Sequence, residues 1–184
     1  RALTDLREAP GAVEPALDAI TETMARHARA ALAAGADGLF LATQAATPDV
    51  LTAEEWSRVE LPRMRRMLEA VAGASVFTLL HLHGRDVHFA QAATLPVHAI
   101  NWHDRLTAPT LADARARFTG GLVGGLGEGR TLLQGPSEAA AAEAREAIAQ
   151  TAGRGILVGP GCVLPLATPD AHLAAVLSAV KDAR

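Results

Sequence analysis

This 184-residue chain has few aromatic residues, a single cysteine and no concentrated block of charge. Four phenylalanines, two tryptophans and no tyrosine argue against a surface that stacks nucleic-acid bases. The 17 basic and 20 acidic residues are spread along the chain, so no nucleic-acid footprint is visible. No apolar run approaches the roughly 20 residues of a membrane helix. One cysteine excludes an internal disulfide and fits a reducing compartment, so we expect a cytoplasmic protein.

The chain has the size and composition of one globular domain. Hydrophobic residues make up 49% of it, many of them alanine, and mean hydropathy is +0.16. These values are typical of a folded protein rather than a disordered one. We therefore expect a single domain over 1–184. The chain opens on Arg1 rather than Met, so we also expect that its N-terminus is truncated or processed.

Short apolar runs alternate with segments of helical periodicity along the whole chain. The helix after the first run starts with a capping box, in which Thr52 is followed three residues later by Glu55. Thr110 and Ser137 are expected to cap later helices. The predicted strands are 38–42, 76–81, 97–102, 121–125 and 155–159, and the predicted helices are 13–34, 52–71, 87–93, 110–118, 137–151 and 169–183.

This alternation predicts an α/β protein with a parallel sheet covered on both faces. Two architectures satisfy it, an open doubly wound sheet and part of a (β/α)8 barrel. A complete barrel needs about 250 residues, more than the 184 of this chain, so a barrel here would be partial. Unusual polar or glycine-rich segments close or follow all five predicted strands. Both architectures function at the carboxyl ends of their strands, but clustering at five successive strand ends favours about five β/α units of a barrel. These residues are Thr43 and Gln44, His81 and His83, Asn101 to Arg105, the Gly124–Gly129 loop and Cys162.

His81, His83 and Cys162 are candidate metal ligands. The two histidines are one residue apart at the end of a strand, so their side chains lie on the same face. Imidazole and thiolate suit Zn²⁺, and three protein ligands leave a fourth position for a substrate. The alternative is structural, because a lone buried cysteine is usually a small hydrophobe and histidines at a strand end can bond the backbone.

The segment 101–105 contains a carboxylate, an imidazole and a guanidinium within five residues. His103 and Asp104 are therefore catalytic candidates, and Asn101, Trp102 and Arg105 are candidates for binding an anionic substrate or orienting a ligand. The alternative is that Trp102 packs in the core and that Asp104 and Arg105 form a surface ion pair. The glycine-rich loop lacks the residues of a phosphate-binding loop.

Several motifs resemble, in their sequence and in their order along the chain, the C-terminal half of the uroporphyrinogen decarboxylase family. That resemblance implies a (β/α)8 barrel of which this chain holds the C-terminal portion. The family includes cofactor-free tetrapyrrole decarboxylases and zinc-dependent methyltransferases that pass a methyl group from a corrinoid protein to a thiol. The motifs are Ala33-Ala34-Gly35-Ala36-Asp37, His81-Leu82-His83-Gly84, Asn101-Trp102, Val123-Gly124-Gly125-Leu126 and Gly161-Cys162-Val163-Leu164-Pro165.

Departures from the family's motifs separate its two branches. Where the decarboxylases have Gly-His-Gly, this chain has Pro160-Gly161-Cys162, and their Asp-Trp corresponds to Asn101-Trp102. Their catalytic serine falls at Thr43 or Gln44, so Gln44 joins the catalytic candidates. The methyltransferases use His-x-Cys and a distant Gly-Cys as zinc ligands, positions that His81, His83 and Cys162 match with one cysteine replaced by histidine.

The resemblance therefore predicts zinc-dependent methyl transfer from a corrinoid to a thiol. The alternatives are decarboxylation of uroporphyrinogen III in tetrapyrrole (heme) biosynthesis and a non-catalytic barrel that binds a corrinoid or tetrapyrrole. Expected partners are a small-molecule thiol or tetrapyrrole and a corrinoid protein, with no nucleic acid and no membrane. Five strands of an eight-stranded barrel leave unpaired edges. We therefore expect the chain to need an N-terminal half or to self-associate.

Overall fold

The computed structural model describes residues 1–183 and shows β-strands alternating with α-helices, numbered in chain order. The strands are β1 (Gly38–Thr43), β2 (Phe77–Leu82), β3 (Ala99–Trp102), β4 (Gly121–Leu126) and β5 (Ile156–Pro160). The helices are α1 (Ala2–Glu8), α2 (Pro10–Ala33), α3 (Ala53–Val59), α4 (Leu61–Glu69), α5 (Phe89–Ala92), α6 (Leu111–Arg115), α7 (Thr131–Gln134), α8 (Ser137–Gln150) and α9 (Asp170–Asp182). The five predicted strands are thus confirmed to within about two residues at each end.

All five strands are parallel, and they lie in the sheet in chain order, β1-β2-β3-β4-β5. An open doubly wound sheet reverses its strand order at a switch point, whereas a barrel adds each strand beside the previous one. The consecutive order therefore excludes the doubly wound alternative and confirms the segment of β/α units from a barrel.

Helices cover only one face of this sheet. On that face Leu80, Ile100 and Leu122 are completely buried. On the opposite face Phe40 is 65% exposed and Leu157 is 54% exposed. The expectation of two covered faces was wrong, because right-handed connections between consecutive neighbouring strands place every helix on the same side. The open face is the one that lines the inside of a barrel.

Several predicted helical boundaries differ in the structure; the predicted helices 87–93 and 110–118, for example, are the shorter α5 and α6. The predicted helix 52–71 is divided into α3 and α4 at Glu60, because Pro62 has no backbone N–H and cannot continue the hydrogen-bond ladder. The capping box is confirmed, with the Glu55 N–H donating to Thr52 Oγ1 at 3.1 Å. Ser137 is the first residue of α8 rather than its cap. The short helices α1 and α7 have too few residues to show a period.

An apolar cleft of about 660 Å³ borders the free edge of β1. Its walls are formed mainly by α1, α2, β1 and α4. Ile20 and Met24 of α2 line it and are about half exposed, and the more exposed Phe40 of β1 lines it as well. Among the described residues no helix is long and apolar enough to cross a bilayer.

Candidate metal centre

Four side chains converge at the carboxyl ends of β2, β3 and β5. One possible ligand atom from each of His81, His83, His103 and Cys162 lies within 4.8 Å of the others. His83 is central, with its Nδ1 3.4 Å from His103 Nε2 and 3.7 Å from Cys162 Sγ. These three imidazoles and one thiol are the donor types that bind zinc and related metal ions. The cluster can therefore hold a metal ion.

The strand register explains why these side chains meet. His81 in β2 pairs with Asn101 in β3, so the two residues point to the same face of the sheet. The side chains two positions further along, His83 and His103, continue on that face. Leu82 and Trp102 alternate with them and point to the helical side, where both are completely buried.

Asn101 determines the tautomer of His81. Its amide Nδ2 donates to the backbone carbonyls of Val123 and Pro160, at 2.8 and 3.1 Å. Its Oδ1 therefore faces His81 Nδ1 at 2.6 Å, and Nδ1 must carry the proton of that hydrogen bond. This leaves the Nε2 lone pair free for a metal. Burial lowers the pKa of His81, which also favours the neutral ring that a metal needs.

Glu128 fixes His103 in a similar way. The loop after β4 carries Glu128, whose Oε1 lies 2.8 Å from His103 Nδ1, with both side chains less than 15% exposed. The hydrogen bond from His103 lowers the pKa of Glu128 against the opposing effect of burial. The sequence analysis took His103 as a catalytic candidate rather than a metal ligand, and it did not single out Glu128. The sequence signal for Glu128 was an acidic residue in a strand-end loop.

Two residues of the segment 101–105 point away from the cluster. The Trp102 ring is buried against Phe89, with centroids 4.8 Å apart, and its Nε1 donates to the Pro109 carbonyl at 2.9 Å. Arg105 donates to the Gly125 carbonyl and pairs with Glu146 of α8 at 2.8 Å. These contacts join β3 to the neighbouring core and to α8.

The remaining predicted catalytic residues, Asp104 and Gln44, lie at different depths. Asp104 Oδ1 accepts the Gly125 N–H at 3.0 Å, and burial raises the pKa of Asp104 to about 6. Gln44 is exposed just beyond β1. Its neighbour Thr43 instead donates to Glu60, which also accepts the Trp56 Nε1–H at 2.6 Å. Of the three predicted catalytic residues, the structure therefore brings only His103 into the cluster. Asp104 is hydrogen-bonded to the end of β4, and Gln44 is exposed at the surface.

Comparison with known proteins identifies the family. The model of the uroporphyrinogen decarboxylase (URO-D) family matches residues 1–183. The chain belongs to this family. It is 28% identical over 171 residues to a methylcobamide:CoM methyltransferase, MtaA, of Methanosarcina barkeri. The aligned region covers 90% of this chain and 48% of that relative.

A solved structure agrees with this assignment. The structure of a methyltransferase from Methanosarcina mazei superposes with a TM-score of 0.86 at 25% identity, covering 98% of this chain and 52% of that one. The chain thus spans about half the length of the relatives it matches.

Proposed function

We propose that this chain carries the zinc centre of an enzyme that transfers a methyl group from a corrinoid to a thiol. The observation that carries the proposal is the convergence of His81, His83, His103 and Cys162 at the carboxyl ends of the strands. The similarity to methylcobamide:CoM methyltransferases supports the reaction class. Both observations concern one edge of the sheet, the edge at which barrels of this type carry out chemistry.

The donor set favours zinc over harder cations. Imidazole nitrogen and thiolate sulfur suit Zn²⁺, whereas Mg²⁺ and Ca²⁺ prefer carboxylate and carbonyl oxygens. The two residues behind the imidazoles, Asn101 and Glu128, accept hydrogen bonds from the ring nitrogens that face away from the cluster. Such outer partners orient histidine ligands and fix their tautomers.

Methyl transfer requires a ligand position for the thiol. We propose that His81, His83 and Cys162 would hold the zinc ion, with His103 beside them at the position that an incoming thiol would take. The zinc ion would supply a positive charge that favours the deprotonated thiol. Asn101 keeps the His81 ring oriented, and Glu128 keeps His103 in place. Asp104 and Gln44 have no ligand role in this scheme.

Substitution of the ligands tests the metal centre. Cys162→Ser replaces a thiolate with a poor zinc ligand and leaves only the three imidazoles, so the purified chain should hold less zinc. His83→Cys adds a second thiolate and should keep or tighten zinc binding. His27→Ala is a matched control, because His27 is exposed on α2, away from the cluster. Zinc content should be measured for each variant, together with methyl transfer in the longer protein.

The outcomes separate the candidate functions. Cys162→Ser with the zinc content of the unsubstituted chain would refute the proposed centre. Decarboxylation of a tetrapyrrole that survives both the substitution and a chelator would instead support the alternative activity within the family. A bound corrinoid or tetrapyrrole without either reaction would support the binding-protein alternative.

We further propose that the active form contains the remaining strands and helices of the barrel. Support comes from the open sheet face, the apolar cleft beside β1 and the half-length match to the relatives. Unpaired edges and exposed apolar side chains promote association. We therefore expect the 184-residue chain to self-associate in sedimentation experiments.

Charged substitutions in the cleft test this proposal. Ile20→Glu should reduce association, whereas Leu177→Glu should not, because Leu177 is similarly exposed but lies on α9, outside the cleft. A monodisperse monomer that unfolds cooperatively would contradict the proposal and indicate a self-sufficient open sheet.

A further inference from the structure

Glu128 contacts two separate parts of the candidate metal centre. Its Oε1 lies 2.8 Å from Nδ1 of His103, which follows β3. Its Oε2 lies close to Gly161, the residue before Cys162, where a Cβ atom would come within 3.3 Å of it. The carboxylate therefore sits between the end of β3 and the loop that carries the thiol.

The hydrogen bond to Glu128 selects the ring nitrogen of His103 that can bind a metal. A carboxylate oxygen accepts, so Nδ1 carries the proton and Nε2 keeps its lone pair. Nε2 is the atom that lies 3.4 Å from His83 Nδ1, inside the cluster. A carboxylate behind an imidazole also makes that imidazole a stronger ligand.

Gly161 approaches the end of β3 closely. A Cβ at this position would lie 2.8 Å from His103 Cα and 3.0 Å from the Trp102 carbonyl oxygen. The loop before Cys162 therefore passes directly over the end of β3, with the Glu128 carboxylate against both segments.

We infer that Glu128 is a positioning residue of the metal centre, holding His103 Nε2 toward the metal and the Gly161–Cys162 segment beside it. The inference rests on the proposed metal centre. The two oriented imidazoles differ in their hydrogen-bond partners: His81 faces the neutral amide of Asn101, whereas His103 faces the carboxylate of Glu128. Removing the charge of Glu128 makes the surroundings of His103 resemble those of His81.

Glu128→Gln tests the inference with little change in side-chain size. Glu143→Gln is the matched control, because Glu143 accepts the Gly127 N–H and the Thr131 hydroxyl in the same loop at 2.9 and 2.7 Å. Zinc affinity should be measured by chelator competition, the ligand field by the absorption of bound Co²⁺, and stability by thermal unfolding of the metal-free chain.

We expect Glu128→Gln to weaken zinc binding by about 10- to 100-fold and to change the Co²⁺ spectrum. Glu143→Gln should alter the unfolding temperature alone. The difference between Glu128→Gln and the unsubstituted chain should shrink when excess thiol is present, because the thiol replaces His103. A role in folding only would lower the unfolding temperature and leave affinity and spectrum unchanged, and this result would overturn the inference.

A second comparison keeps the test decisive if Glu128→Gln folds poorly. In a His103→Ala background, Glu128→Gln should cause less loss of zinc affinity than it does alone, and an equal loss in both backgrounds would overturn the inference. If the unsubstituted chain binds zinc and Glu128→Gln binds it with the same affinity, only the role of Glu128 is rejected and the proposed metal centre stands. Failure of the unsubstituted chain to bind zinc rejects the proposed metal centre as well.

Discussion

Replacing Asn101 by alanine should reduce both stability and metal affinity. Asn101 is buried and takes part in three hydrogen bonds, with His81, Val123 and Pro160. At about 1 kcal/mol for each lost hydrogen bond, the free energy of unfolding should fall by about 3 kcal/mol. For a chain of this size that corresponds to a fall in Tm of roughly 6–12 °C.

The effect on the metal follows from the released His81 ring. Without the Asn101 oxygen, His81 Nδ1 has lost its acceptor and the ring can exchange tautomers, so metal affinity should fall by about 10- to 100-fold. Urea unfolding of the metal-free chain and chelator competition measure the two effects separately. Thr151→Val is the control, because it removes a buried hydroxyl that donates to Ala147, far from the cluster. If the Asn101→Ala variant keeps either the stability or the metal affinity of the unsubstituted chain, the role given to Asn101 is refuted.

Three further predictions concern other residues. Gly161→Ala should destabilise the chain by about 1–3 kcal/mol in calorimetry, because its Cβ would meet His103 and Trp102, whereas Gly129→Ala, with no atom within 4 Å of its Cβ, should be nearly neutral. The Arg7 guanidinium lowers the pKa of Glu55 from 4.5 to about 2. The stability that the ionised Glu55 contributes through this pair is therefore complete above pH 4.5 and is lost as the pH falls toward 2. Glu55→Gln should remove that part of the acid unfolding profile, and an unchanged profile would contradict the assignment. Trp102→Phe should lower Tm without changing metal affinity, because the indole donates to Pro109 on the helical side.

The sequence was sufficient to predict the strands and to bring the candidate ligands His81, His83 and Cys162 to one edge of the sheet. Apolar runs mark buried parallel strands, and polar residues at their ends indicate which edge carries the chemistry. Strand alternation also contains information on Trp102. Since Asn101 and His103 share a face, the residue between them must point to the other face.

Other features depend on contacts that local patterns do not record. The orientation of Glu128 follows from the path of a glycine-rich loop, and glycine allows too many backbone conformations for that path to be predicted. The division between α3 and α4 depends on Pro62, whose effect competes with an uninterrupted helical period. The open face was missed because an apolar run looks the same whether helices cover it or a barrel interior encloses it.

A metal ion bound at the candidate centre would link the β5 edge of the sheet to its interior strands. Cys162 follows β5, which pairs only with β4. His81 lies in the interior strand β2, and His83 and His103 directly follow the interior strands β2 and β3. Local opening of β5 would therefore break a metal–sulfur bond, and at a free metal concentration 100 times Kd the bound ion adds about 2.7 kcal/mol against openings that destroy the site. The β1 edge contributes no ligand and gains no such protection. Metal binding would thus make the two edges of the sheet unequal, with slow exchange of backbone amides at β5 and fast local opening retained at β1.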